Sequence, residues 1–303
     1  NIDQVLVILT PQSMTDIEAI AEGIVEVHKD ATKPMTCSFM GASDVAPGID
    51  MLQQAHIPHY ILPEWACGAM AEVQRVRRWR ELPMDEPETP RVDRDAAASV
   101  IDSAGEGYLA EEQALTVLQA YGLPVPAFAL CPDADAAVQT AERIGYPVVL
   151  RVMSPQVVHK SEVNGVALNL GDADAVRAAF ERIAADLARL APSAEMTGVL
   201  VRPMIAPGHE VILGGERDPA FGPVLMFGLG GVYVELFRDV TFAMAPVSRT
   251  RAQRMIDDTK AGRLLGGLRG QPAADVDGIV DALIRLGRLM LDFDRIAELD
   301  VNP

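Results

Sequence analysis

The sequence predicts an α/β protein in two parts: an incomplete parallel-sheet domain over residues 1–82 and an α+β domain over 101–303, joined by a linker at 83–100. Val5-Leu6-Val7-Ile8-Leu9 is a continuous apolar run of strand length that opens an alternation of strand-like and helix-like segments. Pro83 to Arg94 (PMDEPETPRVDR) is proline-rich, charged and aperiodic, as a linker is. Beyond it, helical spacing and buried-strand runs resume.

Taken in order, Thr10-Pro11-Gln12-Ser13 ends the first strand, and Thr15 or Asp16 can cap a helix running to about His28. Lys33 to Met40 reads as a second strand closed by Gly41, which gives a βαβ rhythm without an upstream partner strand. A helix over roughly Asp44 to Gln54, a short strand Tyr60-Ile61-Leu62 and a helix carrying Trp65 to Trp79 complete the half-domain. After the linker, Glu111 to Tyr121 has helical spacing, and Ala127 to Leu130 reads as a strand. Asp133 caps the next helix, which Gly145 stops, and Tyr146 to Val152 is a buried-strand pattern carrying a cation. The openings Asp133-Ala-Asp-Ala136 and Asp172-Ala-Asp-Ala175 share capping chemistry rather than a repeat architecture.

Composition narrows the function classes. A chain of 303 residues that is 49% hydrophobic can fill two cores. Its formal net charge of −17 repels phosphate backbones and anionic lipid, which argues against nucleic-acid and membrane partners and leaves any anionic substrate to a few local cations. The expectation is a soluble cytoplasmic protein, since no run approaches the ~20 apolar residues of a membrane span and the N-terminus lacks a signal pattern. Cys37, Cys67 and Cys131 lack metal-ligand or disulfide spacing and read as free thiols.

Chemistry concentrates between Arg151 and Gly165 (RVMSPQVVHKSEVNG). A cation at the end of a buried strand is costly unless an anion meets it, and a nucleotide phosphate would do so. Ser154 to Gly165 has the composition of a functional loop with His159 at its middle, nucleophilic when neutral and flanked by Lys160 and Ser161, which could stabilise a phosphoryl group. On spacing alone, a surface loop histidine is the favoured reading. Glu298, Asp300 and Asn302 alternate along an otherwise apolar strand and so share one face, a set of oxygens that suits magnesium.

The run PVVLRVMSPQVVHKSEVNGV, Pro147 to Val166, resembles the signature of ADP-forming (NDP-forming) acyl-CoA synthetases. So do, in the same order, Val199-Leu-Val-Arg-Pro-Met204, Gly208-His-Glu-Val-Ile-Leu-Gly214, Asp218 to Gly231, and Ala297-Glu-Leu-Asp-Val-Asn-Pro303. The resemblance covers essentially the whole chain. It likens residues 1–82 to the second half of a flavodoxin-like ligase domain and 101–303 to a two-lobed ATP-grasp module truncated at its C-terminus. It implies a reversible conversion of acid, CoA and ATP to acyl-CoA, ADP and phosphate through acyl-phosphate and phosphohistidine intermediates. His159 would relay the phosphoryl group to a histidine on another domain, on the same or a separate chain.

For the remaining residues, the resemblance implies that Arg151 meets nucleotide phosphates, that Arg202 is nucleotide-binding, that the Val199–Met204 strand offers its backbone to adenine with Met204 against the ring, and that Glu210, read as lying on the next strand, takes a ribose hydroxyl or helps hold Mg2+. Asp300 and Asn302 fall at the metal position. Gly228-Leu-Gly-Gly231 reads as a tight turn after which Glu235, Arg238 and Asp239 could face the nucleotide, although a cross-strand ion pair explains Glu235 and Arg238 as well. Asn164 stands where the signature has a glycine. Implied partners are CoA, a small carboxylic acid, CoA-binding and phosphohistidine domains, and further copies of the chain in a homo-oligomer. Two other readings compete: a synthetase-like regulatory module of a protein acetyltransferase, and an ATP-grasp carboxylate–amine ligase, in which the loop histidine has no obligatory role.

Overall fold

In the computed structural model, which describes residues 2–41, 43–82, 85–157, 160–231, 239–267 and 272–302 (the Ser161 side chain excepted), strands and helices begin close to where the apolar runs and acidic caps of the sequence put them. The chain divides into two units, Asn1–Met84 and Asp85–Pro303. In the first, β1 (Val5–Leu9) pairs in parallel with β2 (Met35–Phe39), and α1 (Ile17–Lys29) makes the crossover. Asp16 caps α1 by accepting the Ala19 N–H at 3.0 Å. A 3-10 turn (Ser43–Val45), α2 (Ala46–Gln54) and α3 (Pro63–Arg80) follow. Phe39, Val45, Leu52 and Cys37 are buried together, and burial pushes the Cys37 thiol up to about 11. The expected strand at Tyr60–Leu62 is reduced to one parallel bridge between Cys37 and His59, because Leu62 already caps the helix that Pro63 begins.

The second unit opens inside the expected linker. Asp85 accepts from Ser248 at 2.6 Å and from the Thr250 N–H at 3.0 Å, and α4 (Arg94–Ser103), capped by Asp93, buries Ala97 and Ile101. Proline and charge mark 85–93 as irregular but do not reveal that it is tied down. Next comes α5 (Glu111–Ala120), followed by the first lobe: β3 (Ala129–Cys131), α6 (Ala134–Ile144), β4 (Val148–Met153), β5 (Val166–Leu170), α7 (Ala173–Leu190) and β6 (Gly198–Pro203). Its sheet is antiparallel in the order β3-β6-β4-β5. Asp133 and Asp172 cap α6 and α7 by accepting the Ala136 and Ala175 N–H groups, both at 2.8 Å.

The second lobe comprises β7 (Val211–Asp218), β8 (Gly222–Leu229), β9 (Val240–Met244), α8 (Arg249–Asp257), α9 (Lys260–Leu265), α10 (Val276–Asp292) and β10 (Glu298–Val301). Its antiparallel sheet runs β10-β7-β8-β9. Leu225, Phe227, Leu283 and Leu286 form its core, each such burial worth roughly 1.5–3 kcal/mol. Helices α4 and α5, with Tyr121 just after α5, contribute Ala97, Ile101, Val117 and Tyr121 to this core and none to that of the first lobe. The Arg217 N–H donates to the Ala297 carbonyl at 2.8 Å, and its guanidinium donates to the carbonyls of Met290, Phe293 and Ile296. Among the described residues, no helix is long and apolar enough to cross a membrane.

Candidate functional site

Each sheet of the second unit buries one face under helices and leaves the other open. On β4, Val148, Leu150 and Val152 are buried with residues of α6 and α7, so Val149 and Arg151 take the opposite face. Arg151 is paired with Leu200 and Val149 with Arg202 across β4 and β6, which makes the two guanidiniums diagonal neighbours on the open face. Such a pair needs an anion, and the first residue of α5 supplies it. Glu111 accepts from Arg151 Nη1 at 2.9 Å through Oε1 and from Lys160 Nζ at 2.9 Å through Oε2, and Arg202 Nη1 lies 3.7 Å from Oε1.

The cluster is sheltered: the side chains of Glu111, Lys160 and Arg202 are 17%, 15% and 26% exposed. Burial lowers the Arg202 pKa below the ordinary arginine value; Glu111 opposes that shift and Arg151 adds to it. Three cations against one carboxylate leave an excess of positive charge. Arg151 Nε is also buried without a hydrogen-bond partner among the described residues. An anion with several oxygens would satisfy both.

Lys160 reaches Glu111 from a 3-10 turn, Lys160–Val163, whose return to β5 is tightly constrained. Asn164 sits at φ 50°, a conformation asparagine accepts more readily than most residues, which explains its place in a position the signature gives to glycine. The Gly165 N–H donates to the Lys160 carbonyl at 2.8 Å, and its carbonyl accepts from Val152 at 2.7 Å. A Cβ at 165 would lie 2.3 Å from Val152 Cγ1, so only glycine fits.

On the second sheet, Glu298 and Asp300 are exposed while Leu299 and Val301 turn inward, and Asn302 continues the exposed side. Asp300 lies opposite Gly214 and Glu298 opposite Glu216. Desolvation, reinforced by Glu298, raises the Asp300 pKa, so a cation beside it would relieve an existing penalty. Met226 and the exposed Phe242 continue this face across the sheet. The cationic and acidic features share one segment: Tyr108 donates to Glu298 at 2.9 Å, and Glu111 holds the cations three residues later, at most about 11 Å of chain away. Among the described residues, no group of three or more His, Cys, Asp or Glu is arranged to hold a metal ion; Asp300 and Asn302 offer two oxygen-bearing side chains on one face, a partial donor set for a hard cation.

Of the residues singled out from the sequence, Arg151 and Arg202 are brought together, and Asp300 and Asn302 share a face. His159, Glu235 and Arg238 lie outside the described residues. The Met204 N–H is committed to the Pro147 carbonyl at 2.9 Å, which removes it as a donor to a base. Glu210 precedes β7 instead of lying on it; its carbonyl accepts the Gly230 N–H at 2.8 Å. Gly228-Leu229 is strand, with Gly228 between Ile212 and Val240, where a Cβ would come 2.7 Å from Val240 Cγ1: the glycine serves close packing, not a turn. Asp239 accepts the Lys260 and Ala261 N–H groups at the start of α9 at 3.0 and 2.9 Å, so its carboxylate is already engaged. Sequence reasoning missed Glu111 and Tyr108. A glutamate in the first turn of a helix ordinarily reads as a solvated charge favoured by the helix dipole.

Residues 101–303 match the ATP-grasp domain family. Over 200 residues the chain is 44% identical to the β subunit of ADP-forming acetate–CoA ligase II of Pyrococcus furiosus, covering 66% of this chain and 85% of that subunit. The chain belongs to the ADP-forming acyl-CoA synthetase family, through its ATP-grasp domain. Within the family, ADP-forming acetate–CoA ligase I of Archaeoglobus fulgidus is 41% identical across 100% of this chain, which spans only 44% of that relative's length. The dinucleotide-forming acetyl-coenzyme A synthetase 1 of Ca. Korarchaeum cryptofilum, solved with coenzyme A and Ca-AMPCP, has a TM-score of 0.66 at 46% identity over 70% of this chain and 92% of its own. A second structure of that synthetase, with coenzyme A, Mg-AMPPCP and its phosphohistidine segment pointing towards the nucleotide site, has a TM-score of 0.60 at 43% identity over 70% and 91% of the two chains.

Proposed function

We propose that this chain is the ATP-grasp portion of an ADP-forming acyl-CoA synthetase, which reversibly converts a carboxylic acid, CoA and ATP to acyl-CoA, ADP and phosphate. The observation that carries the reading is the convergence of Arg151, Lys160 and Arg202 on one sheltered carboxylate, within one short segment of the acidic edge of the other sheet. A nucleotide between the two sheets places its phosphates at these cations. Met204 packs on the adenine ring, Glu210 takes a ribose hydroxyl, and Glu235 and Arg238 complete the site. Asp300 and Asn302 would hold magnesium, which would supply positive charge against the phosphates.

A ring nitrogen of neutral His159 attacks the γ-phosphorus, the bond to the bridging oxygen breaks, and ADP leaves with that electron pair. The phosphoryl group then passes from His159 to a histidine of a partner domain and on to the carboxylate of the acid, and CoA attacks the resulting acyl phosphate and displaces phosphate. In keeping with this, the Korarchaeum relative was solved with its phosphohistidine segment pointing towards the nucleotide site. The partners are CoA, a small carboxylic acid, and CoA-binding and phosphohistidine domains, with the assembled enzyme a cytoplasmic homo-oligomer; the name of the Pyrococcus relative as a β subunit supports a division of labour between chains. With magnesium and γ-labelled ATP the protein is expected to acquire acid-labile, base-stable label that His159→Ala abolishes. ADP binding without any such label would sink the relay.

A further inference from the structure

We propose that Glu111 is an internal counter-ion that competes with a polyphosphate for Arg151, Lys160 and Arg202, which rests on the nucleotide reading of this site. The competition follows from occupancy. Glu111 takes Arg151 Nη1 and Lys160 Nζ, one with each carboxylate oxygen, and its Oε1 also lies within ion-pair distance of Arg202. A phosphate bridging the same cations would stand beside this carboxylate, where two like charges at close range repel strongly in a partly buried site. Glu111 is therefore displaced when phosphate arrives, or it holds phosphate affinity down by staying.

The position of Glu111 gives the competition a mechanical side. The carboxylate belongs to α5, whose Val117 sits in the core of the second lobe, whereas its cations stand on the first lobe and on the turn that follows the 154–159 segment. Glu111 thus ties the lobes together electrostatically, and a polyphosphate that takes over its cations loosens that tie at the residue next to His159. The opposing possibility is that Glu111 only orients the cations while phosphate uses their spare donors, and it predicts the opposite sign.

Calorimetric titration separates the two. Glu111→Gln keeps the shape and removes the charge, and is expected to bind ADP and tripolyphosphate about tenfold more tightly than the wild-type protein while binding adenosine equally. Its Tm is expected to rise more with tripolyphosphate than the wild-type Tm does. Glu106→Gln, which makes the same change of net charge at an exposed position, should match the wild-type protein. Unchanged or weaker binding of both ligands by Glu111→Gln overturns the proposal. If that variant does not fold, Glu111→Asp carries the same comparison with a smaller tightening expected, and weaker binding by it overturns the proposal equally. Wild-type protein that binds tripolyphosphate but not ADP would remove the nucleotide reading and still test Glu111; binding of neither would remove both.

Discussion

The two sheets of the second unit solve the problem of charge beside an apolar core in opposite ways. The first places two arginines on its open face and shelters them, with Lys160, around a carboxylate supplied by a helix packed in the other lobe. The second leaves its carboxylates in a row on an edge strand, exposed and mutually repelling, with Tyr108 as their one outside partner among the described residues. Cations held in place by a borrowed counter-charge are ready for an exchange of anions, while carboxylates on an edge with no cation against them among the described residues are ready for one.

The contrast can be broken from either side. The largest effect is expected from Arg151→Ala, which removes a charge-assisted contact and should weaken ADP binding roughly 30- to 100-fold in a calorimetric titration, with or without magnesium. Asp300→Asn should act on the metal alone, lowering the magnesium-dependent gain in ADP affinity about tenfold while leaving metal-free ADP binding unchanged. The smallest effect is on stability. Because the folded protein raises the Asp300 pKa above the ordinary 3.8, the ionised group opposes folding at neutral pH and ceases to do so as it protonates in acid. Asp300→Asn should therefore raise the Tm modestly at pH 7, and the gain should vanish below about pH 4. A lower Tm at pH 7 would contradict that account of the acidic edge.

Much of the fold was legible because it is written locally. Apolar runs mark β1 and β4, and Asp133 and Asp172 announce the helices they cap. The alternation Glu298, Asp300, Asn302 revealed a shared face because a strand's period of two is visible in sequence. The heart of the site was half legible. Arg151 stood out as a cation in a buried run, but its partner lies 40 residues upstream and that of Lys160 lies 49 upstream, on a helix whose spacing shows its apolar stripe and not what its first residue meets. Glycine misled in the other direction: Gly228 resembles a turn residue, although its role is to let β8 lie close to β9.

Arg217 has a bearing on the acidic edge that it never touches. By gathering the carbonyls beyond α10 and donating its own N–H to Ala297, it fixes where the chain enters β10. Side chains alternate along a strand, so a slip of one residue would drive Asp300 into the core and turn Leu299 and Val301 outward. A guanidinium on the far side of the sheet is thus the indexing pin of the oxygen row, and the polarity of that surface is decided by an alignment made before any ligand arrives.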